Sequence, residues 1–120
     1  RSDLQLVLVE PIQKKCSFLN SVIGLLKLRG MSTFDGTIEQ YAKRPIHHVV
    51  DMIVVRALKF EEIRKHIPAL LVSKGKVVLY RTESMKNQEI GEEFHLVNET
   101  ALVLPQGSGK RVIAVVEKIK

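Results

Sequence analysis

Four charged residues stand where aliphatic runs give out: Glu10 behind LQLVLV, Arg56 behind VVDMIVV, Arg81 at the end of KVVLYR, and Glu39 just past a short run at Met31 to Phe34. If those runs are parallel strands, the charges lie at carboxyl ends, the edge along which open α/β sheets bind ligands. A carboxylate there can accept hydrogen bonds from ribose hydroxyls, and an arginine offers a planar fork of donors to a guanine edge or a phosphate. Taken singly, each is more often a solvated or ion-paired side chain, and Glu10 also reads as an acid near a helix N-terminus. Their recurrence along one edge is what favours a binding site.

Other chemistries find less support. Gly107-Ser108-Gly109-Lys110 resembles the end of a phosphate loop, but Arg111 and then a strand follow it, so it reads as a turn. His47, His48, His66 and His95 make no His-x-x-x-His pair and have no Cys or carboxylate cluster at ligand spacing, which predicts no metal site. No Gly-x-Ser-x-Gly elbow exists. The single cysteine, Cys16, falls on an apolar helix stripe and reads as a buried thiol.

The elements that would position these residues follow from periodicity. Leu4 to Val9 is nearly unbroken aliphatic, as suits a parallel strand covered on both faces. Behind it, with Pro11 in the first turn, Ile12, Cys16, Leu19, Ile23 and Leu26 recur at helical spacing, flanked by Phe18, Val22 and Leu25, and Gly30 stands ready to end the helix. Met31 to Phe34 suggests a short strand, Asp35-Gly36 a turn, and Thr37 to Ala42 a helical turn or two. Val49 to Val55 reads as a strand, Glu61 to Leu71 as a second amphipathic helix that Pro68 should kink or tighten, and Lys76 to Arg81 as a third aliphatic strand after a turn at Ser73-Lys74-Gly75. This βα alternation argues for parallel strands with right-handed crossovers. Beyond Thr82 the chain is polar and offers only a short helix, until Phe94 to Leu104 and Val112 to Val116 suggest an antiparallel hairpin.

With 120 residues, one domain with a modest core is expected. No apolar run is long enough to cross a bilayer and no signal segment opens the sequence, so the reading is soluble, cytoplasmic and without a membrane partner. A net charge of +6 favours a polyanionic partner, while the absence of Trp argues against binding single strands mainly by stacking.

LVLVEPIQKKCSFLNSV, VVDMIVVRAL, HIPALLVSKGKVVLYR and LPQGSGKRVIAVVEK, in that order and spacing, resemble the carboxyl-terminal two thirds of the glucose-inhibited division protein B family, ribosomal RNA small-subunit methyltransferase G. The resemblance implies a class I methyltransferase (Rossmann-like) fold, a mostly parallel sheet with an antiparallel C-terminal hairpin, using S-adenosylmethionine to methylate guanine N7 of small-subunit ribosomal RNA. Glu10 matches the acid that holds the cofactor ribose, Ile38 and Glu39 the segment lining the adenine, and Arg56-Ala57 a pair beside the methyl donor and substrate base. Lys14 and Lys15 match a basic pair, with Phe18 and Leu19 behind it. Arg81 stands where the family has a lysine, Thr82 where a glycine follows, and Arg111 matches an arginine before the last strand. With Lys110, these basic residues other than Arg56 are the expected RNA contacts.

The family's first strand and Gly-rich cofactor loop would precede Arg1, so residues 1–120 read as one partial methyltransferase domain, expected to be inactive by itself. The missing strand would lie between those at Leu4 to Val9 and Asp51 to Val55, and its absence would invite self-association or pairing with an N-terminal segment. The alternative is a non-catalytic basic α/β module that binds RNA or a protein partner.

Overall fold

The computed structural model describes residues 4–45, 49–107 and 109–120. His47 and His48, weighed above as metal ligands, and Ser108 of the Gly-rich connection lie outside the described residues. Where one domain was expected, the chain groups into two compact units, Arg1–Ile46 and His47–Lys120.

The first unit is a βαβ crossover with a short helix behind it: β1 (Leu6–Glu10), α1 (Gln13–Leu25), β2 (Met31–Asp35) and α2 (Ile38–Ala42). β1 and β2 pair in parallel from Leu6 opposite Met31 to Glu10 opposite Asp35. Pro11 precedes α1 instead of entering its first turn, because Ile12 stays extended at φ −92°, ψ 111°. Nor does Gly30 end the helix. Lys27 does so at φ 54°, its N–H donating to Gly24 O at 3.3 Å and that of Leu28 to Ile23 O at 3.0 Å. Gly30 instead permits a close approach. Its carbonyl accepts from Leu6 N at 2.7 Å, and a β-carbon there would come within 2.6 Å of Leu4 O.

The expected apolar stripe of α1 is only partly covered. Cys16 is buried, Leu19, Val22 and Ile23 are half-buried, and Ile12, Phe18, Leu25 and Leu26 are exposed. Two strands about 4.8 Å apart are narrower than a helix with its side chains, about 10–12 Å across, so they cannot seal such a stripe. Leu6 and Val7, on opposite faces of β1, are likewise exposed, against the expectation of a strand covered on both sides.

The second unit is a four-stranded sheet in the order β3-β4-β6-β5. Its elements are β3 (Val50–Val55), α3 (Phe60–Ile63), a 3-10 turn at Arg64–His66, β4 (Leu71–Arg81), α4 (Asn87–Ile90), β5 (Phe94–Val103) and β6 (Lys110–Lys118). β3 and β4 are parallel, and β6 runs antiparallel to both its neighbours, β4 and β5. The expected helix to Leu71 stops at Ile63. Pro68 has no N–H to donate to the Arg64 carbonyl and its ring crowds that carbonyl, so Ile67 N takes the acceptor at 3.3 Å over a three-residue step. Leu71 then opens β4, and Ser73-Lys74-Gly75 is a bulge inside that strand, with Val50 opposite Leu71 but Met52 already opposite Lys76. The periodicity in this stretch was that of a core, since Phe60, Ile63, Ile67, Leu70 and Leu71 are all buried. They join Val77, Leu79, Val112, Ala114 and Val116, and Phe60 meets Phe94 edge to face at 5.1 Å.

Candidate functional site

In the first unit the carboxyl ends of β1 and β2 bring Glu10 and Asp35 side by side as register partners. Gly36 N donates to Glu10 O at 3.0 Å, which turns the chain tightly behind β2. A β-carbon on Gly36 would meet Gln40 Oε1 at 2.6 Å and the Phe34 ring at 2.7 Å. α2 follows at once, with Thr37 Oγ1 accepting from Gln40 N at 3.1 Å and Gln40 Oε1 accepting from Thr37 N at 2.8 Å. Ile38 and Glu39 thus sit in the first helical turn at the same edge as Glu10. The Glu10 carboxylate is half-buried, and no described residue bonds to it. Glu39 is more committed, since Lys43 Nζ lies 2.9 Å from its Oε1.

Lys14 and Lys15 occupy the first turn of α1, close behind Glu10, and both are exposed. That turn holds no acidic residue. Cations at a helix N-terminus oppose the macrodipole by about 0.3–1 kcal/mol each, so these lysines do not serve the helix. They leave two exposed positive charges beside the carboxyl end of β1. At the opposite, amino end of β1 and β2 is a depression of about 250 Å³ lined by Gln5, Leu6, Val7, Gly30, Met31 and Ser32, without a charged side chain.

In the second unit the carboxyl ends of β3 and β4 carry Arg56 and Arg81. Because β6 is antiparallel to β4, with Val112 opposite Arg81, its first residues Lys110 and Arg111 reach the same edge. Four expected site residues therefore converge: Arg56, Arg81, Lys110 and Arg111. They differ in employment. Arg56, Lys110 and Arg111 are exposed, and no described side chain pairs with Arg56. Arg81 is largely covered and is engaged within the chain, with Nη2 donating to Glu89 Oε2 at 2.8 Å and Nε to Glu83 O at 3.1 Å. An arginine held in this way is not an open phosphate ligand, against the expectation of an RNA contact.

Glu89 is the hub of that arrangement and has no signal in the sequence. It lies eight residues from Arg81 in a polar stretch, and only the folded strap from Thr82 to Ile90 unites them. Glu89 Oε1 also accepts from Lys86 N at 2.8 Å, while Arg64 Nη1 donates to the carbonyls of Gln88 and Glu89, both at 2.7 Å. The Lys86 backbone N–H, aided by the hydrogen bond and charge of Arg81, holds the Glu89 carboxyl below its ordinary value, although burial pushes the other way. Two further features were not visible in the sequence: Asp35 beside Glu10, which needs the β1–β2 register, and the left-handed backbone of Ala57, at φ 61°.

Among the described residues no group of His, Cys, Asp and Glu could hold a metal ion, and no helix is long and apolar enough to cross a membrane.

The sequence model of the GidB family, rRNA small subunit methyltransferase G, matches residues 1–110. Similar curated proteins include the ribosomal RNA small subunit methyltransferase G of Clostridium botulinum (strain Loch Maree / Type A3), 30% identical over 105 residues, which cover 87% of this chain and 42% of that protein. The protein of the same name from Treponema denticola is 32% identical over 104 residues, covering 83% of this chain and 37% of the relative. The chain thus spans less than half the length of these relatives. Among solved structures, TrmN from Thermus thermophilus superposes with a TM-score of 0.78 at 14% identity, over 95% of this chain and 36% of that one. An O-methyltransferase from Bacillus cereus, solved in complex with SAH, gives 0.67 at 15% identity over 95% of this chain and 63% of that one. The fold is that of a class I methyltransferase, α/β with parallel and antiparallel strands.

Proposed function

Because the chain belongs to the rRNA small subunit methyltransferase G family, we propose that it forms part of an S-adenosylmethionine-dependent enzyme that methylates guanine N7 in small-subunit ribosomal RNA. The observation that carries this reading is Glu10, a half-buried carboxylate without a partner among the described residues, at the carboxyl end of a parallel strand. That is where folds of this kind hold a ribose by its hydroxyls. The residues suit such a cofactor. Glu10 would accept from the ribose, and Ile38, half-buried in the first turn of α2, would offer an apolar surface to the adenine beside Glu39.

The bound cofactor would supply an electrophilic sulfonium methyl group. What the chain must then do is modest, because guanine N7 carries a free lone pair and needs no general base; alignment alone is worth several kcal/mol. Arg56, exposed at the end of β3, would donate to guanine O6 and leave N7 free to attack. Lys14, Lys15, Lys110 and Arg111 would hold the RNA by its phosphates. Arg81 would act on the substrate only indirectly, by ordering the strap from Thr82 to Ile90.

A second reading, a basic RNA-binding module without catalysis, draws on the net charge of +6 and the exposed Lys14, Lys15, Lys110 and Arg111. Methyl incorporation from labelled S-adenosylmethionine into undermethylated small ribosomal subunits separates the two, with the chain assayed alone and joined to the remaining length of the Clostridium botulinum relative. Label at guanine N7 with the joined protein supports the enzyme. Label at another atom, or none from a well-folded joined protein that binds RNA, sinks the N7 reading.

A further inference from the structure

Arg56-Ala57-Leu58-Lys59 links β3 to α3 between two buried anchors, Val55 at 6% exposure and Phe60 at 1%, yet all four linking residues are exposed. Within this corner Ala57 takes φ 61°. A residue with a β-carbon avoids that region because the β-carbon crowds the following carbonyl, and a glycine would enter it freely. Three other described non-glycine residues have positive φ, and each is tied down. Lys27 sits in the helix-end motif closed by Leu28 N to Ile23 O at 3.0 Å, Lys74 donates through Nζ to Ile119 O at 2.7 Å, and Gln106 lies in the connection closed by Leu104 N to Gly109 O at 2.8 Å. No comparable turn or side-chain bond closes across Ala57 among the described residues. The corner is held from its two ends, by buried Val55 and Phe60, and backbone strain kept in that way on an exposed corner is a pointer to function.

The neighbouring arginines sharpen the point. At one edge of one sheet, Arg81 is locked to Glu89 and Glu83, whereas Arg56 has only its backbone to aim it. We propose that Ala57 is a positioning residue, whose restricted left-handed backbone holds Arg56 ready for a guanine edge. The inference rests on the reading of Arg56 given above. Glycine at this position would relieve the strain and also free the corner to sample both signs of φ, so comfort and order are opposed.

Fluorescence anisotropy on the 120-residue chain tests this, with a labelled guanine-rich single-stranded RNA and a guanine-free RNA of equal length. Arg56→Ala and Ala57→Gly should each weaken binding to the guanine-rich RNA about tenfold and leave the guanine-free RNA unaffected. The double variant should be no weaker than Arg56→Ala, because residues that act as one unit are not additive. Ala57→Asn, which enters the left-handed region more readily than other non-glycine residues, should keep the affinity. Ala57→Gly should hold or raise the melting temperature while the backbone order parameter at Arg56 falls from about 0.85 toward 0.6. Wild-type binding by Ala57→Gly alongside weak binding by Arg56→Ala overturns the positioning role and leaves the reading of Arg56 standing. If Arg56→Ala binds both RNAs normally, that reading fails and Ala57 has nothing to position. A loss by Ala57→Gly that extends to both RNAs or comes with a lowered melting temperature is unfolding, and it too overturns the proposal.

Discussion

Replacing Glu89 with alanine should loosen the strap from Thr82 to Ile90 and lower the stability of the second unit by about 2–3 kcal/mol. The figure comes from the two hydrogen bonds that meet on its carboxylate, from Arg81 Nη2 and Lys86 N, both at 2.8 Å. Bonds to a charged group contribute about 1.5–3 kcal/mol each. About 1–1.5 kcal/mol each, at or just below the bottom of that range, applies here, because the Arg81 and Glu89 side chains keep 15% and 19% of their exposure and water can reach what is left behind. Glu89→Gln keeps an acceptor for Lys86 and loses the ion pair, so about half the effect should remain. At roughly 4 °C per kcal/mol for a chain of this size, the melting temperature of Glu89→Ala should fall by about 8–12 °C. The effect has a defined pH dependence. The Lys86 N–H, with Arg81, holds the folded carboxyl below its ordinary 4.5, so the folded state is the stronger acid. Its contribution is complete above that ordinary value and is lost as pH falls through the lower folded one. Thermal melts stepped from about pH 7 to about pH 3, with hydrogen exchange across the strap, should therefore show the gap between wild type and variant closing in acid. A gap under about 0.5 kcal/mol at neutral pH, the size of an exposed ion pair, or one that widens in acid, would refute the reasoning.

Three further outcomes are expected. Gly30→Ala should cost about 1–3 kcal/mol, because φ there is +75° and the new β-carbon would meet backbone, Leu4 O, at 2.6 Å; a variant that melts with the wild type would contradict the tight approach. Affinity for single-stranded RNA should fall with salt at a log–log slope of about −3 if Lys14, Lys15, Lys110 and Arg111 each neutralise a phosphate, and Lys14→Ala with Lys15→Ala should flatten it by about 1.4; salt-independent binding would rule out the phosphate contacts. Calorimetry should find that the 120-residue chain binds S-adenosylmethionine weakly or not at all, since no glycine-rich turn stands behind Glu10 among the described residues to approach the methionine end; micromolar affinity would show that the Glu10 edge suffices.

The order and type of the elements were legible in the sequence because they depend on local periodicity. The aliphatic runs at β1, β3 and β4, the helical recurrence behind Glu10 and the polar connection after Leu104 each declare themselves within a dozen residues or so. That a charge stands at the end of each aliphatic run was legible for the same reason, since a residue behind a strand lies at its carboxyl end wherever that strand is placed. What periodicity could not convey was pairing. That β6 pairs with β4, bringing Lys110 and Arg111 to the edge that bears Arg56, depends on hydrogen bonds between segments more than thirty residues apart. The stop of α3 before Pro68 was misread because a core-facing helix, a 3-10 turn and a strand can bury apolar residues at the same spacing as one long helix. The employments of the two arginines are the sharpest instance. Arg56 and Arg81 look alike behind their strands, and only a folded strap that brings Glu89 within 2.8 Å of Arg81 makes one a staple and leaves the other without a side-chain partner among the described residues.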